Sequence, residues 1–97
     1  MNEAVHKFLI AGTSDAQFRH VQDAVADLPV KLSHVNVRDN LRMNTSTLPT
    51  VDQAIIVGKF VNHKTTQRLV SVYGRQRIVM HWGGLTRLAK CVRELCV

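Results

Sequence analysis

The stretch Asp52-Gln53-Ala54-Ile55-Ile56-Val57-Gly58-Lys59-Phe60-Val61-Asn62-His63-Lys64-Thr65-Thr66 decides the fold. Its unbroken Ala54 to Val57 run, closed by a glycine, is the pattern of a strand covered on both faces, as strands of a parallel sheet are. The residues after it predict a helix. Asn62 is a suitable N-cap, Thr66, Leu69, Val70 and Tyr73 recur at helical spacing, and Gly74 stands at the stop. In open α/β sheets, ligands bind outside the carboxyl ends of the strands, where helix N–H groups and side chains converge.

The same alternation extends in both directions. His6 to Ala11 predicts a short buried first strand, and Gly12-Thr13-Ser14 a tight corner. Ser14 and Gln17 have capping-box spacing, so a helix begins there, with Phe18, Val21, Val25 and Leu28 on its apolar stripe and Pro29 at its end. Val30 to Arg38 reads as a second strand, partly alternating. Asp39 to Thr50, rich in Asn, Ser and Thr, is long enough for the crossover that parallel strands require. Arg77 to Met80 predicts a fourth strand, His81-Trp82-Gly83-Gly84 a corner, and Leu85, Leu88, Ala89, Val92, Leu95 and Cys96 the inner stripe of a closing helix.

The expected fold is therefore α/β and Rossmann-like. It is a small open parallel sheet of about four strands in the order 2-1-3-4, with helices on both faces, and residues 1–97 form one domain. No apolar run is long enough for a bilayer, and the N-terminus lacks the pattern of a secretory signal. A cytoplasmic location without a membrane partner is expected. Cys91 and Cys96 fit neither a zinc motif nor a disulfide within one helix, so Cys96 is expected to pack as a small hydrophobe and Cys91 on the flank.

Charge is unevenly distributed. Acids and bases nearly cancel before Gln53, whereas Lys59, Lys64, Arg68, Arg75, Arg77, Arg87, Lys90 and Arg93 face only Glu94 in the remainder. Such asymmetry suits a polyanionic partner, and solvated helix faces are the plainer explanation. At the third strand's corner, Asn62, His63, Lys64 and Thr65 would offer amide, imidazole, ammonium and hydroxyl donors around free helix N–H groups, with ordinary capping as the competing account. Gly12, Thr13 and Ser14 form a second anion or ligand corner, and Trp82 beside two glycines can stack on a base or close a pocket.

Several chemistries find no support. Gly58-Lys59 is not a P-loop and Gly12-Thr13-Ser14 is not a dinucleotide fingerprint, so no cofactor is implied. His34, His63 and His81 lie late in, or just after, the second, third and fourth strands, but the strand order sets His34 and His81 at opposite edges, against a shared metal. With no paired carboxylates and no nucleophile triad, a non-enzymatic role is expected.

Gly12, His34 in the second strand, Asp52 opening the third and the Val61-Asn62-His63 step before a basic helix together resemble a bacterial domain-of-unknown-function family, number 2325. The resemblance spans nearly the whole chain, with Asp52 to Lys64 its most specific block. Thr13 stands where a second glycine is often expected, and Phe60 where a small acid is common. The family implies a Rossmann-like fold and a bacterial or mobile-element origin, and no established reaction.

The function expected from these features is a regulatory module that binds nucleic acid, DNA in the first instance, as a homo-oligomer such as a homodimer. Lys64, Arg68, Arg75, Arg77, Arg87, Lys90 and Arg93 would contact phosphates. The alternatives are a sensor of a phosphorylated ligand or nucleotide at the strand-end corners, and a phage or mobile-element adaptor that acts on a protein partner.

Overall fold

The structure is a computed structural model and describes residues 5–35 and 48–96. In chain order it contains β1 (His6–Ala11), α1 (Asp15–Ala24), β2 (Val30–Val35), β3 (Gln53–Val57), α2 (His63–Tyr73), a 3-10 turn (Arg75–Arg77), β4 (Ile78–His81) and α3 (Leu85–Leu95). All pairings are parallel and the strand order is β2-β1-β3-β4. Ile10 sits between His34 and Ile55, and Ile56 beside Met80.

Alternation along the two central strands feeds both faces of the sheet. Phe8, Ile10, Ile55 and Val57 pack with Val21 and Val25 from α1 and its end, and with Leu88 and Val92 from α3. Leu9, Ala11, Ala54 and Ile56 pack with Leu69 and Tyr73 of α2, and with Val51 and Val61. The fold is thus a three-layer sandwich with α1 and α3 on one face and α2 on the other. That explains why the Ala54 to Val57 run contains no polar residue: both of its faces are buried. Cys96 packs at the margin of the α1 and α3 core.

Several predicted boundaries move, each for a local reason. The helix expected to reach Pro29 ends at Ala24. Val25 and Leu28 still pack inward, but the chain tightens into bonds from Ala26 N to Asp23 O and from Leu28 N to Val25 O. On α2 the buried positions are Thr65, Leu69 and Tyr73, four apart, rather than Thr66 and Val70. Thr66 instead turns its hydroxyl back to the Asn62 carbonyl at 3.1 Å. Arg77 belongs to the 3-10 turn, its N–H donating to Gly74 O, so β4 begins at Ile78. Asp52 precedes β3, accepting from Lys7 N at 2.8 Å while its own N–H donates to Lys7 O at 2.7 Å. The expected extension of the second strand over Asn36 to Arg38, and the crossover as far as Thr47, lie outside the described residues.

Among the described residues no helix is long and apolar enough to cross a membrane.

Candidate functional site

Strand order 2-1-3-4 puts the topological switch between β1 and β3, so the connections leaving these neighbours run to opposite faces and open a crevice at their carboxyl ends. A pocket of 240 Å³ lies there, on the side covered by α1 and α3. Thr13 and Gln17 line it from the β1–α1 corner, Val57, Lys59 and Phe60 from the end of β3, and Trp82 to Leu85 with Leu88 from the β4–α3 corner. Its walls are largely apolar, and among the described residues that line it Lys59 is the only charged one.

Each corner is built by a specific local feature. Ser14 Oγ accepts from Gln17 N at 3.2 Å and Ser14 N donates to Gln17 Oε1 at 2.9 Å, completing the capping box that starts α1. Gly12 has φ 109°, and a Cβ there would meet Val61 Cγ2 at 2.7 Å and the Val57 carbonyl oxygen at 2.9 Å. The β1 corner is therefore pressed against the end of β3, and only glycine permits that approach. Thr13 follows, 1% exposed, and its Oγ1 is buried without a hydrogen-bond partner. On the outer side His34 Nε2 donates to Thr13 O at 2.8 Å, and its ring stacks on Phe18 with centroids 4.5 Å apart. His34 Nδ1 lies 3.5 Å from Asp15 Oδ1.

Across the crevice, α3 starts at Gly84 with no side chain capping its first turn, and its first backbone bond is Leu88 N to Gly84 O. The N–H groups of that turn carry the positive end of the helix dipole. Trp82 is 70% exposed, yet its six-membered ring lies over Gly58, where an added Cβ would come within 2.5 Å of it. Phe60, 44% exposed, carries Lys59 Nζ 5.6 Å from its ring centroid.

Of the residues singled out as an anion or ligand site in the sequence, Thr13 and Trp82 line this crevice. Gly12 and Ser14 shape its corner instead. At the Asn62 to Thr65 corner the capping arrangement is present: the Asn62 side chain accepts from Thr65 N at 2.8 Å, and the Thr65 side chain is buried. His63 and Lys64 are exposed, with Gln67 Nε2 3.1 Å from His63 Nε2. Gln17, Lys59, Phe60, Leu85 and Leu88 escaped the sequence reading. The switch rule could have found Lys59 and Phe60, since they leave β3 directly beside β1.

The basic residues do not share one face. Arg68 belongs to α2, while Arg87 and Lys90 belong to α3 on the opposite side of the sheet; Arg75 and Arg77 lie in the turn before β4. Arg93, expected on phosphate, is tied to the end of α1. Its guanidinium donates to both Asp27 oxygens at 2.9 Å and to Ala24 O at 3.2 Å, closing the end of α1. That hydrogen bond holds the Asp27 carboxyl below the usual carboxylate range and raises Arg93. Among the described residues no other arginine or lysine has an acidic partner.

The three histidines stay apart: His34 bonds Thr13, His63 faces Gln67, and His81 Nε2 lies 3.3 Å from Gly84 O. No group of three metal-ligating side chains occurs among the described residues. Burial pushes both cysteine thiols up, with Glu94 adding to the effect at Cys91. Neither has the depressed pKa of an activated nucleophile. In comparisons with known proteins, no family model, curated protein or solved structure matches this chain.

Proposed function

We propose that the chain is a non-enzymatic ligand-binding module that holds a small anionic or phosphorylated ligand in the crevice between the ends of β1 and β3. One observation carries this reading: a crevice opens at the switch between β1 and β3, and Thr13 on its wall keeps a buried Oγ1 with no hydrogen-bond partner among the described residues. Leaving a buried hydroxyl unpaired costs about 1–3 kcal/mol, and such a group calls for an explanation, a bound ion or other partner being one. The uncapped first turn of α3 and Lys59 supply the positive character. In this reading the protein works in the cytoplasm as a sensor, and the Asn62 corner serves folding.

The test is a thermal-shift and calorimetric screen of small phosphorylated and carboxylated compounds against the wild type and Thr13→Val. The reading requires at least one compound that stabilises the wild type and loses affinity with Thr13→Val. A screen in which every hit binds both proteins equally contradicts it.

A second reading rests on a separate observation. Lys64, Arg68, Arg75, Arg77, Arg87 and Lys90 are exposed and have no acidic partner among the described residues. They would give a nucleic-acid surface that wraps both helix layers, and a homodimer would extend it. Binding to a mixed-sequence DNA duplex that falls linearly in log affinity with log salt, and weakens when Arg87 and Lys90 become Ala, supports this reading. No binding at low salt removes it.

A further inference from the structure

We propose that the ligand of this crevice is a nucleotide, its base stacked on Trp82 and its phosphate held at the first turn of α3 beside Lys59. This rests on the reading of the crevice as a ligand site and adds the chemical class.

Three observations converge. Trp82 is the sole tryptophan and is largely exposed, an unusual place for the largest apolar side chain. It is nevertheless seated, since its ring covers Gly58 closely enough to leave no room for a Cβ. A ring supported on one side and open on the other is a stacking platform, and every nucleobase presents a π face to it. Phe60, also exposed, borders the same pocket from β3.

The second observation is polarity. Among the described residues the crevice wall carries no carboxylate and Lys59 is its one charge, and α3 presents to it an N-terminus with no side-chain cap. Thr13, whose Oγ1 is buried without a partner among the described residues, lines the same crevice from the β1–α1 corner. A ligand must therefore bring both a flat apolar part and an anion.

Size is the third. A pocket of 240 Å³ falls below the roughly 300–1,000 Å³ of typical small-molecule sites, so a mononucleotide fits with part of it in solvent. A dinucleotide does not fit, and the β1 corner lacks the glycine pattern that one would need. The same chemistry is presented by a free mononucleotide and by one unit of a single strand.

Trp82 makes the test direct, because all tryptophan emission comes from it. The wild-type protein is titrated with AMP, GMP, CMP, UMP and a short oligothymidylate, exciting on the red edge of the indole band, with calorimetry in parallel. Ribose 5-phosphate serves as the ring-free control. The expected result is saturable quenching by at least one nucleotide or by the strand. Affinity should drop about 5- to 160-fold with Trp82→Ala, the range of a lost base–aromatic stack, and should also fall with Thr13→Val. Tighter binding of the strand assigns the source as nucleic acid, and tighter binding of a mononucleotide assigns it as free nucleotide; either supports the proposal.

Trp82→Ala alters no buried side chain, so loss of folding does not obscure its outcome. Equal affinity for ribose 5-phosphate and the nucleotides, sensitive to Thr13→Val but not to Trp82→Ala, overturns the nucleotide assignment and leaves the anion site standing. No binding of any probe by calorimetry overturns the assignment too, and the broader reading then rests on the compound screen.

Discussion

Replacing Gly12 by Ala tests how tightly the two central corners are joined. Gly12 and Gly74 are the positive-φ residues of the described chain, at 109° and 82°. Placing Ala in so sparsely populated a backbone region costs about 1–3 kcal/mol at either position. The surroundings then separate them. A Cβ at Gly74 meets nothing within 4 Å, whereas at Gly12 it comes within 2.7 Å of Val61 Cγ2 and 2.9 Å of the Val57 carbonyl oxygen. The carbonyl belongs to the end of a buried central strand and cannot swing aside as a side-chain tip would. Overpacking of this kind adds about 1–3 kcal/mol. Gly12→Ala should therefore cost about 2–6 kcal/mol and Gly74→Ala about 1–3 kcal/mol. Against the roughly 5–15 kcal/mol typical of a folded domain, only the upper end of the first range would unfold the protein, and only if its stability lies at the lower end. Urea titration followed by far-ultraviolet circular dichroism measures both, provided the slopes agree with the wild type. Equal losses in the two variants would refute the claim that the end of β3 presses on Gly12.

Further consequences follow from other contacts. Thr13→Val removes an unpaired buried hydroxyl at nearly constant volume, so chemical unfolding should show stability unchanged or raised by up to about 1–3 kcal/mol, while a clear loss would mean that the hydroxyl is satisfied within the fold. Tyr73→Phe deletes the 2.6 Å bond to Pro49 O and should cost about 1 kcal/mol in the same assay, without shifting the far-ultraviolet spectrum. Arg93 lowers the Asp27 pKa, so this pair stabilises the fold above the unfolded carboxylate value of about 4 and ceases to as pH falls through the still lower folded value. Stability curves of the wild type and Asp27→Asn should converge at acid pH, and a constant gap down to the lowest pH would exclude the pair as a source of pH dependence. Gly58→Ala leaves the backbone unstrained but must displace the Trp82 ring, so Trp82 emission should shift while global stability changes by about 1 kcal/mol or less; an unchanged emission maximum would show that the ring does not rest there.

Much of the fold was legible because its signals are local. The Ala54 to Val57 run announces a doubly covered strand, Ser14 with Gln17 announces α1, and Asn62 announces α2; each works through neighbours within one turn. Helix faces were read less well, since Thr65 and Thr66 differ only in which one the packing of α2 turns inward. The site was half legible for the same reason. Thr13 and Trp82 sit at obvious corners, but Lys59 and Phe60 join them only because α1 and α3 share a face of the sheet and α2 leaves on the other. The pairing of Arg93 was not legible, because its partner, Asp27, lies 66 residues away and no pattern of spacing reveals it.

The account stands most directly on where a ligand touches the chain. Amide and indole resonances of the wild-type protein, followed by two-dimensional nuclear magnetic resonance during titration with AMP and then with each nucleotide in turn, provide that measurement. The crevice account predicts saturable shifts concentrated on Thr13, Gln17, the Trp82 indole N–H and the Leu85 to Arg87 amides, with the Asn62 to Thr65 corner still. Shifts confined to the exposed bases of α2 and the Arg75 to Arg77 turn, or none at all up to saturation of the solution, would contradict it.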